Sequence, residues 1–384
     1  MPSLGNQEYI RDMNSRLVLQ HIIHHGPISR ADISKALGLT KATVSSIVQT
    51  FIDDGYVWEI GSLDTTKGRK PILLQFNGNC GFTLSVYLDV DATSILIASL
   101  TGEQRQFFSY PGISGNPSPL EKLCEYIQDA MSHCPPSRYH IVGIAVGVLG
   151  VVHKNRIEFT PYYDLNCPDL GDLLEQRFHI PVYIENEANL AAQGERTFFH
   201  FYPNLINLNI HAGIGMGIIL DHRLYTGQNG YAGEFGHTII EPGGKPCPCG
   251  NRGCIEQYAS RRAIVSMFRE ITRDPQMTAA DLCRAYNKGR PEAVRCIDIF
   301  VRYMAIALNN ILNIFNPDIV IINSDFTTGI PGLTDEISQH MRNTFNRNCT
   351  FVPASQDQET VILLGGCCVC AKKFLKIKDL QLKT

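Results

Sequence analysis

The chain has 384 residues, of which 44% are hydrophobic and 18% are charged. This length suits two or three domains, and the composition excludes a chain that is largely disordered. The 34 Lys and Arg residues against 37 Asp and Glu residues give a net charge of −3, which excludes a protein that is strongly basic as a whole.

The sequence carries no signal for secretion or for a membrane. Its longest apolar runs, such as residues 143–152, are far shorter than the roughly 20 residues that a helix needs to cross a bilayer. The N-terminal residues are polar and mixed in charge, unlike a signal peptide. We therefore expect a cytoplasmic protein that has no membrane partner.

The 13 cysteines are expected to be thiols or metal ligands, because disulfides are rare in the reducing cytosol. The run Cys-Cys-Val-Cys at 367–370 has no histidine or carboxylate beside it. It follows two glycines on an apolar segment, so it predicts core packing.

Residues 14–55 predict three helices. The first covers 14–25 and ends at a Gly-Pro pair, and the next two begin at Ser29 and Thr40, which are good N-caps. Two short helices joined at a glycine, the second rich in small polar residues, predict a helix-turn-helix. The apolar stripe predicted for the first helix is Leu17, Val18, Leu19, Ile22 and Ile23.

The segment 56–76 predicts a strand, a turn-rich loop and a second strand, which together form a wing. Its tip, Lys-Gly-Arg-Lys at 67–70, places a basic side chain where it could enter a minor groove. The alternative is a helical interaction module that never contacts DNA. The predicted DNA-contacting residues are Arg30, Lys41, Ala42, Thr43, Ser45, Ser46, Arg69 and Lys70.

From about residue 80, strands alternate with helices, which predicts an α/β domain made of two similar lobes. Polar residues and glycines collect where strands end, at Gly150, at 185–187 and in Gly-Ile-Gly-Met-Gly at 213–217. Carboxylates and an amide in such a place suit a polyhydroxylated ligand. For the glycine string alone, a tight hairpin without a ligand is the alternative.

One histidine and three cysteines lie in a Gly/Pro-rich stretch at 236–257. They are His237, Cys247, Cys249 and Cys254. Such a set supplies the four ligands of a closed tetrahedral zinc site, which leaves no open position for catalysis. We therefore predict a structural zinc ion that holds Glu234, Glu256 and one face of His237 against a ligand pocket. Free thiols brought together by chance are the alternative.

The chain resembles the ROK family (repressors, open reading frames, kinases), and among its members the sugar-responsive repressors. The resemblance covers nearly the whole chain. The motifs that carry it are SRADISKALGLTKATVSSIV, GRKP, ENEANLAAQGE, GIGMGIIL, LYTGQNGYAGEFGH and CPCGNRGCIE. It implies an N-terminal winged helix-turn-helix over residues 1–78 and a two-lobed, actin-like and ribonuclease-H-like sugar-binding domain over 79–384, with a zinc-bound loop at 236–257.

The resemblance also implies site residues and partners. The family's zinc ligands fall on His237, Cys247, Cys249 and Cys254, and its members are homodimers or homotetramers that bind paired operator half-sites. The implied sugar contacts are Gly150, Asn186, Glu187, Glu234, His237 and Glu256.

The sequence departs from the family's kinases where they hold the nucleotide. Asp91 and Ala92 stand where the kinases' first phosphate loop has two glycines, and Asp91 would repel a phosphate. Ile214 replaces a threonine hydroxyl, and Asn323-Ser324 replaces a late Gly-Gly pair.

The kinases' catalytic Asp is also changed, to Glu187, one methylene longer. We therefore predict a transcriptional repressor of carbohydrate-utilisation genes, with no enzymatic activity and with a free sugar as its allosteric effector. The alternatives are a ROK-type sugar kinase that retains a DNA-binding domain, and a repressor governed by a protein partner.

Overall fold

The computed structural model describes residues 4–62, 71–160, 167–341 and 348–382. The chain forms two compact units. Unit 1 comprises residues 1–148, 160–184 and 366–384, and unit 2 comprises 149–159 and 185–365.

The N-terminal part of unit 1 has the predicted winged helix-turn-helix architecture. Its elements are α1 (Leu4–His25), β1 (Ile28–Ser29), α2 (Arg30–Leu37), α3 (Lys41–Asp53), β2 (Val57–Ser62) and β3 (Ile72–Phe76). The strands form an antiparallel sheet in the order β1-β3-β2. Ser29 caps α2 and Thr40 caps α3, because each hydroxyl accepts a hydrogen bond from a backbone N–H of the first turn.

The core of this module forms where the three helices meet. Its buried residues include Val18 and Ile22 of α1, Ile33 of α2, and Val44 and Val48 of α3. The expected stripe on α1 was wrong at Leu17, which is 43% exposed. The reason is that Leu17 lies on the side of α1 opposite the buried Val18, Leu19 and Ile22, so the apolar residues extend around the helix beyond the face that the core covers.

The remainder of unit 1 is an α/β arrangement. Its five-stranded sheet has the order β10-β7-β4-β5-β6, in which β4 is parallel to β7 and antiparallel to β5. The elements are β4 (Phe82–Leu88), β5 (Ala92–Ser99), β6 (Gln106–Pro111), α4 (Pro119–Ser132), β7 (Ile141–Val148), α5 (Leu170–Phe178) and β10 (Val182–Asn186).

Unit 2 contains a second five-stranded sheet, in the order β13-β12-β11-β14-β15. Its first elements are β8 (Val151–His153), β9 (Arg156–Phe159), α6 (Glu187–Phe198), β11 (Leu205–Ile210), β12 (Ile214–Leu220) and β13 (Arg223–Leu224). They are followed by α7 (Glu256–Ala259), α8 (Arg261–Thr272), α9 (Ala279–Asn287), α10 (Pro291–Phe315), β14 (Ile319–Ser324), α11 (Asp325–Gly329), α12 (Leu333–Gln339) and β15 (Thr350–Pro353). The last helix, α13 (Gln358–Leu375), begins in unit 2, and its residues from Gly366 onward belong to unit 1.

The two large sheets repeat one pattern. In each, three consecutive antiparallel strands are followed by a later strand that lies parallel to the first of the three, as β7 does to β4 and β14 to β11. This repeat confirms the predicted α/β fold built from two similar lobes.

Helix α10 is the central helix of the largest apolar core in unit 2. It buries residues such as Phe300, Met304 and Leu308 against β11, β14 and α8. Among the described residues, it is also the one helix long and apolar enough to cross a membrane by length and composition. In its most apolar stretch of 18 residues 56% are buried, as in the core helix of a globular unit.

The predicted core packing of the late cysteine run is confirmed. Cys367, Cys368 and Cys370 lie on α13 and are at most 2% exposed. Burial raises the pKa of the Cys367 thiol to about 12, so this side chain stays protonated and unreactive at neutral pH.

Helices α6 and α13 pack closely in unit 2 because glycines face each other's backbone. A methyl group at Gly365 would lie 1.9 Å from the carbonyl oxygen of Leu190, and one at Gly194 would lie 2.3 Å from that of Val361. Gly365→Ala is expected to lower the free energy of unfolding by about 3 kcal/mol or more, because neither helix backbone can give way cheaply. Urea denaturation measures this loss.

The matched control is Gly115→Ala. Gly115 has a φ of +72° and open space around its Cα, so alanine there meets backbone strain alone, worth about 1 kcal/mol. Equal losses in the two variants would contradict close packing of α6 on α13.

Candidate functional site

The predicted metal ligands form one cluster in unit 2. One ligand atom from each of His237, Cys247, Cys249 and Cys254 lies within 4.8 Å of the other three. The Sγ atoms of Cys249 and Cys254 are 3.7 Å apart, and Sγ of Cys247 is 3.5 Å from Nδ1 of His237. A zinc ion with bonds of about 2.3 Å to sulfur and about 2.1 Å to nitrogen has tetrahedral edges of about 3.8 and 3.6 Å. The separations therefore fit a tetrahedral metal ion.

The loop that carries the cysteines is shaped by tight turns. Gly253 has a φ of +88°, and a methyl group there would lie 1.8 Å from the carbonyl oxygen of Glu241. Its N–H donates to the carbonyl of Lys245, and the N–H of Cys247 donates to that of Asn251. These bonds return the chain on itself and bring Cys254 back beside Cys247 and Cys249.

His237 presents its two ring nitrogens to two different neighbourhoods. Nδ1 faces Cys247 and lies 3.8 Å from Glu256, whereas Nε2 lies 3.9 Å from a carboxylate oxygen of Glu234. A metal held through Nδ1 would fix the ring and leave Nε2 directed at Glu234 and at a ligand beside it. The predicted link between the metal loop and the carboxylates thus has a geometric basis.

Glu256 is buried and held in place. Its Oε1 accepts hydrogen bonds from Sγ of Cys247, at 3.2 Å, and from Nε2 of Gln257, at 3.0 Å. Its Oε2 lies against the backbone of Gly213, where a methyl group would be 3.1 Å away. Sequence reasoning missed Gln257, since nothing in its neighbourhood shows that its amide turns back onto the preceding carboxylate.

Glu234 precedes a turn of 3-10 helix that ends at His237, and its side chain is 41% exposed. Burial raises the pKa of its carboxyl; His237 opposes the rise and Glu256 adds to it. Glu234, His237 and Glu256 therefore form one electrostatically coupled group.

Gly150, Asn186 and Glu187 form a second group in unit 2. The side-chain nitrogen of Asn186 donates to the carbonyl of Gly150, at 2.9 Å, and to the Glu187 carboxylate, at 2.8 Å. Its oxygen accepts from the backbone N–H groups of Ala188 and Asn189. Both amide hydrogens and the amide oxygen are thus engaged, so Asn186 caps α6 and positions Glu187.

The glycine string of β12 has a packing reason as well as a place in the site. A methyl group at Gly215 would lie 3.5 Å from a carboxylate oxygen of Glu187, and Gly213 faces Glu256. Gly215 in β12 and Gly213 just before it thus each lie beside a carboxylate, one from each group. Gly217 lets α6 lie directly on the strand, since a methyl there would be 2.3 Å from the carbonyl oxygen of Ala188.

The turn at 89–91 lacks the open backbone of a phosphate loop. The N–H of Asp89 donates to the carbonyl of Ala92, and that of Val90 donates to the Asp89 side chain. Both N–H groups are used within the turn, which connects β4 to β5. Ile214, the residue in place of a threonine hydroxyl, is buried in the apolar core of unit 2.

On the N-terminal module, the predicted DNA-contacting residues of α3 lie on its outer side. Lys41, Ala42, Ser45 and Ser46 are exposed, and Thr43 is half-buried because its backbone and hydroxyl both bond to Thr40. The other predicted DNA contacts lie outside α3. Arg30 pairs with Glu59 at 2.8 Å, whereas Arg69 and Lys70 lie outside the described residues.

Comparison with known proteins decides the family. A sequence model described as the ROK family matches residues 87–370, and one described as the MarR family matches residues 14–60. The chain belongs to the ROK family.

The named relatives of this ROK chain are regulators. It is 32% identical to the xylose repressor of Bacillus subtilis over 94% of this chain and 95% of that protein. It is 26% identical to the Escherichia coli DNA-binding transcriptional dual regulator NagC over 94% and 93% of the two chains. These relatives confirm the predictions of a sugar-responsive transcriptional repressor and of a non-enzymatic role.

A solved structure supports the same conclusion. The crystal structure of a ROK family transcriptional regulator, described as a homologue of the E. coli Mlc protein, matches with a TM-score of 0.81. The match covers 97% of this chain and 99% of that one at 25% identity. The winged helix-turn-helix and the two-lobed ROK domain, predicted as the fold, are therefore confirmed.

Proposed function

We propose that this ROK protein is a cytoplasmic repressor whose operator binding is controlled by a free sugar. DNA binding is assigned to residues 1–78 and sugar binding to 79–384. The carrying observation is that two groups of carboxylates lie beside Gly213 and Gly215 while the turn at 89–91 uses its own N–H groups. The carboxylates supply acceptors for sugar hydroxyls, and a turn whose N–H groups are already used offers little to hold a nucleotide phosphate.

The proposed sugar contacts are Gly150, Asn186, Glu187, Glu234, His237 and Glu256. The amide hydrogens and oxygen of Asn186 are already hydrogen-bonded within the protein, so its contribution is to orient Glu187. The carboxylates and Nε2 of His237 form the hydrogen bonds to the sugar hydroxyls. D-xylose is the first candidate, since the relative of 32% identity is a xylose repressor; N-acetylglucosamine is the second, since an N-acetylglucosamine repressor is 26% identical.

A structural zinc ion is proposed for the cluster of His237, Cys247, Cys249 and Cys254. The soft sulfur donors and the tetrahedral separations support zinc over the oxygen-seeking magnesium and calcium. When bound, the ion would supply no reaction; it would fold the 236–257 loop and fix the His237 ring.

The proposed DNA contacts are the outer residues of α3, with Arg30 beside them and Arg69 and Lys70 on the wing. A homodimer or homotetramer is proposed, because paired half-sites need two such modules at a fixed spacing. Sedimentation of the protein with and without a two-half-site operator measures both the oligomer and the number of chains bound.

The direct test is operator binding followed by fluorescence polarisation, with a panel of free sugars and no ATP. Release by a single sugar supports the proposal and identifies the effector. A coupled ADP-release assay over the same sugars tests the kinase alternative, and turnover there would overturn the non-enzymatic assignment. Tight operator binding that no sugar alters would favour control by a protein partner.

Glu234→Gln is expected to weaken sugar binding about tenfold or more, because a neutral amide loses one charge-assisted hydrogen bond while keeping the side chain's shape. Operator affinity without sugar is expected to stay within about twofold. Calorimetry with the sugar and polarisation with the operator measure the two affinities separately.

Glu241→Gln is the matched control. This carboxylate lies on the same loop but accepts from the hydroxyl of Tyr303, away from the proposed contacts. Sugar affinity that is equal in the two variants would remove Glu234 from the pocket.

A further inference from the structure

Helix α13 is shared by the two units. Its residues up to Gly365 belong to unit 2, and those from Gly366 onward belong to unit 1 together with the C-terminal segment, residues 376–382. Unit 2 holds the proposed effector residues and unit 1 holds the DNA-binding module. What holds each end of α13 therefore bears on how the two sites communicate.

The N-terminal end of α13 is anchored to α6 by a buried carboxylate. Glu195 is fully buried, and its two oxygens accept from the backbone N–H of Ser355, at 2.8 Å, and from the Ser355 hydroxyl, at 2.7 Å. The same hydroxyl lies 3.0 Å from Nε2 of His200. A buried carboxylate that lost these donors would be costly, so the contact fixes the chain just before α13.

Helix α6 also carries the effector residues at its first turn. Asn186 caps it and Glu187 begins it, and Glu195 lies eight residues further on, about 12 Å along the helix. Every residue from Ala188 to Phe198 is buried, and Gly194 and Gly365 bring the backbones of α6 and α13 into contact. A shift of α6 at Glu187 would therefore carry Ser355 and the start of α13 with it.

The C-terminal end of α13 lies against the DNA-binding module. The ring of Phe374 packs on Tyr56, at 5.9 Å between centroids, and on Tyr139, at 5.2 Å. Tyr56 follows α3 directly, and the hydroxyl of Tyr139 donates to the carbonyl of Asp54, the residue that ends α3. The end of α3, which carries the proposed DNA contacts, is thus connected to α13 through Tyr56 and Tyr139.

The C-terminal segment then holds α1. Nε2 of Gln20 donates to the carbonyl of Asp379 at 3.0 Å, and the N–H of Gln381 donates to Nε2 of His24 at 3.2 Å. Burial lowers the pKa of His24, which favours the neutral ring that can accept this hydrogen bond. Leu380 and Leu382 are buried, so the segment is part of the packed structure.

We propose that α13 and the C-terminal segment couple the effector site to the DNA-binding module. The anchors are Glu195–Ser355 at one end and Gln20, His24 and Phe374 at the other. Sugar binding at the first turn of α6 displaces Ser355, and α13 transmits the displacement to α1 and to the end of α3. The proposal rests on the proposed function for the identity of the effector, but its anchors lie outside the sugar contacts.

The test uses one variant at each end of the full-length protein. Ser355→Ala removes the hydroxyl that Glu195 accepts from, and Gln20→Met removes the amide that donates to Asp379 while keeping the side chain's length. D-xylose affinity is measured without DNA, and operator affinity is measured with and without D-xylose. The controls are Ser338→Ala, a half-buried serine of unit 2, and Gln128→Met, an exposed glutamine of unit 1.

We expect both variants to bind D-xylose within about twofold of the parent while the sugar-induced change in operator affinity shrinks at least about threefold. Ser355→Thr should restore the change, since it keeps the hydroxyl. In the double variant, the sugar-induced change in operator affinity should shrink no more than in the more affected single variant, because both substitutions interrupt one connection. An undiminished response to D-xylose in both single variants would overturn the proposal. A reduction in the double variant equal to the product of the two single reductions would also overturn it.

Amide hydrogen exchange tests the connection without any sugar. Ser355→Ala is expected to raise exchange at 376–382 and in the last turn of α1, although Ser355 touches neither, whereas Ser338→Ala is not. If no sugar changes the operator affinity of the unsubstituted protein, the proposed effector is contradicted. The hydrogen-exchange comparison between Ser355→Ala and Ser338→Ala still tests the coupling in that case. Unchanged exchange at both segments would contradict transmission along α13.

Discussion

Replacing Ser45 by glutamate is expected to reduce operator affinity about 100-fold or more, which corresponds to about 2.8 kcal/mol. Ser45 is exposed on the outer side of α3, between the buried residues Val44 and Ile47 that fix the helix on the module. A carboxylate there would face DNA phosphates at short range and would replace a hydroxyl small enough for close approach to base edges. Fluorescence polarisation at a fixed salt concentration measures the loss.

The control for this charge change is Gln128→Glu. Gln128 is exposed on α4, so it adds the same charge away from α3. It is expected to lower affinity by less than about threefold, the effect of net charge alone. Sugar affinity should be unchanged in both variants, which shows that they remain folded. Equal operator affinities in the two variants would support the alternative of a helical module that does not contact DNA.

What the sequence predicts well is set by interactions between residues close in the chain. Ser29 and Thr40 bond to N–H groups three residues on, so each cap appears directly in the sequence. The four proposed metal ligands lie within 18 residues, and their chemical type and spacing are enough to bring them together. The repeated sheets follow from strands and helices whose order constrains the topology.

What the sequence does not predict depends on distant pairs. Gln20 and Asp379 are 359 positions apart, and Glu195 and Ser355 are 160 apart, so no local pattern indicates that they meet. Asn186 was identified as a site residue, but its hydrogen bond to the carbonyl of Gly150 joins positions 36 residues apart, so no local pattern indicates it. The exposed Leu17 shows the converse, since an apolar residue directly before the buried Val18 lies on the side of the helix away from the core.

Removal of the proposed zinc ion is expected to weaken sugar binding about 10- to 100-fold, the range found when groups that orient a site are lost. Backbone hydrogen bonds return the loop at 236–257 on itself, but the ion would be what joins the three cysteine sulfur atoms to the ring of His237. Without the ion, the His237 ring could turn, and its Nε2 would no longer be fixed toward Glu234. Operator affinity without sugar should change less than about twofold, because the module at 1–78 contains no ligand of the cluster.

Cys254→Ser removes one ligand permanently and avoids the side effects of a chelator. Cys254 is fully buried, and a hydroxyl is a much poorer zinc ligand than a thiolate. Metal analysis should give about one zinc per chain for the parent and almost none for the variant. The control is Cys349→Ser, a half-buried cysteine outside the cluster, which should keep both zinc and sugar affinity. A zinc-free protein with the parent's sugar affinity would contradict this link between the loop and the pocket, because Gln257 would then hold Glu256 in place without help from the ion.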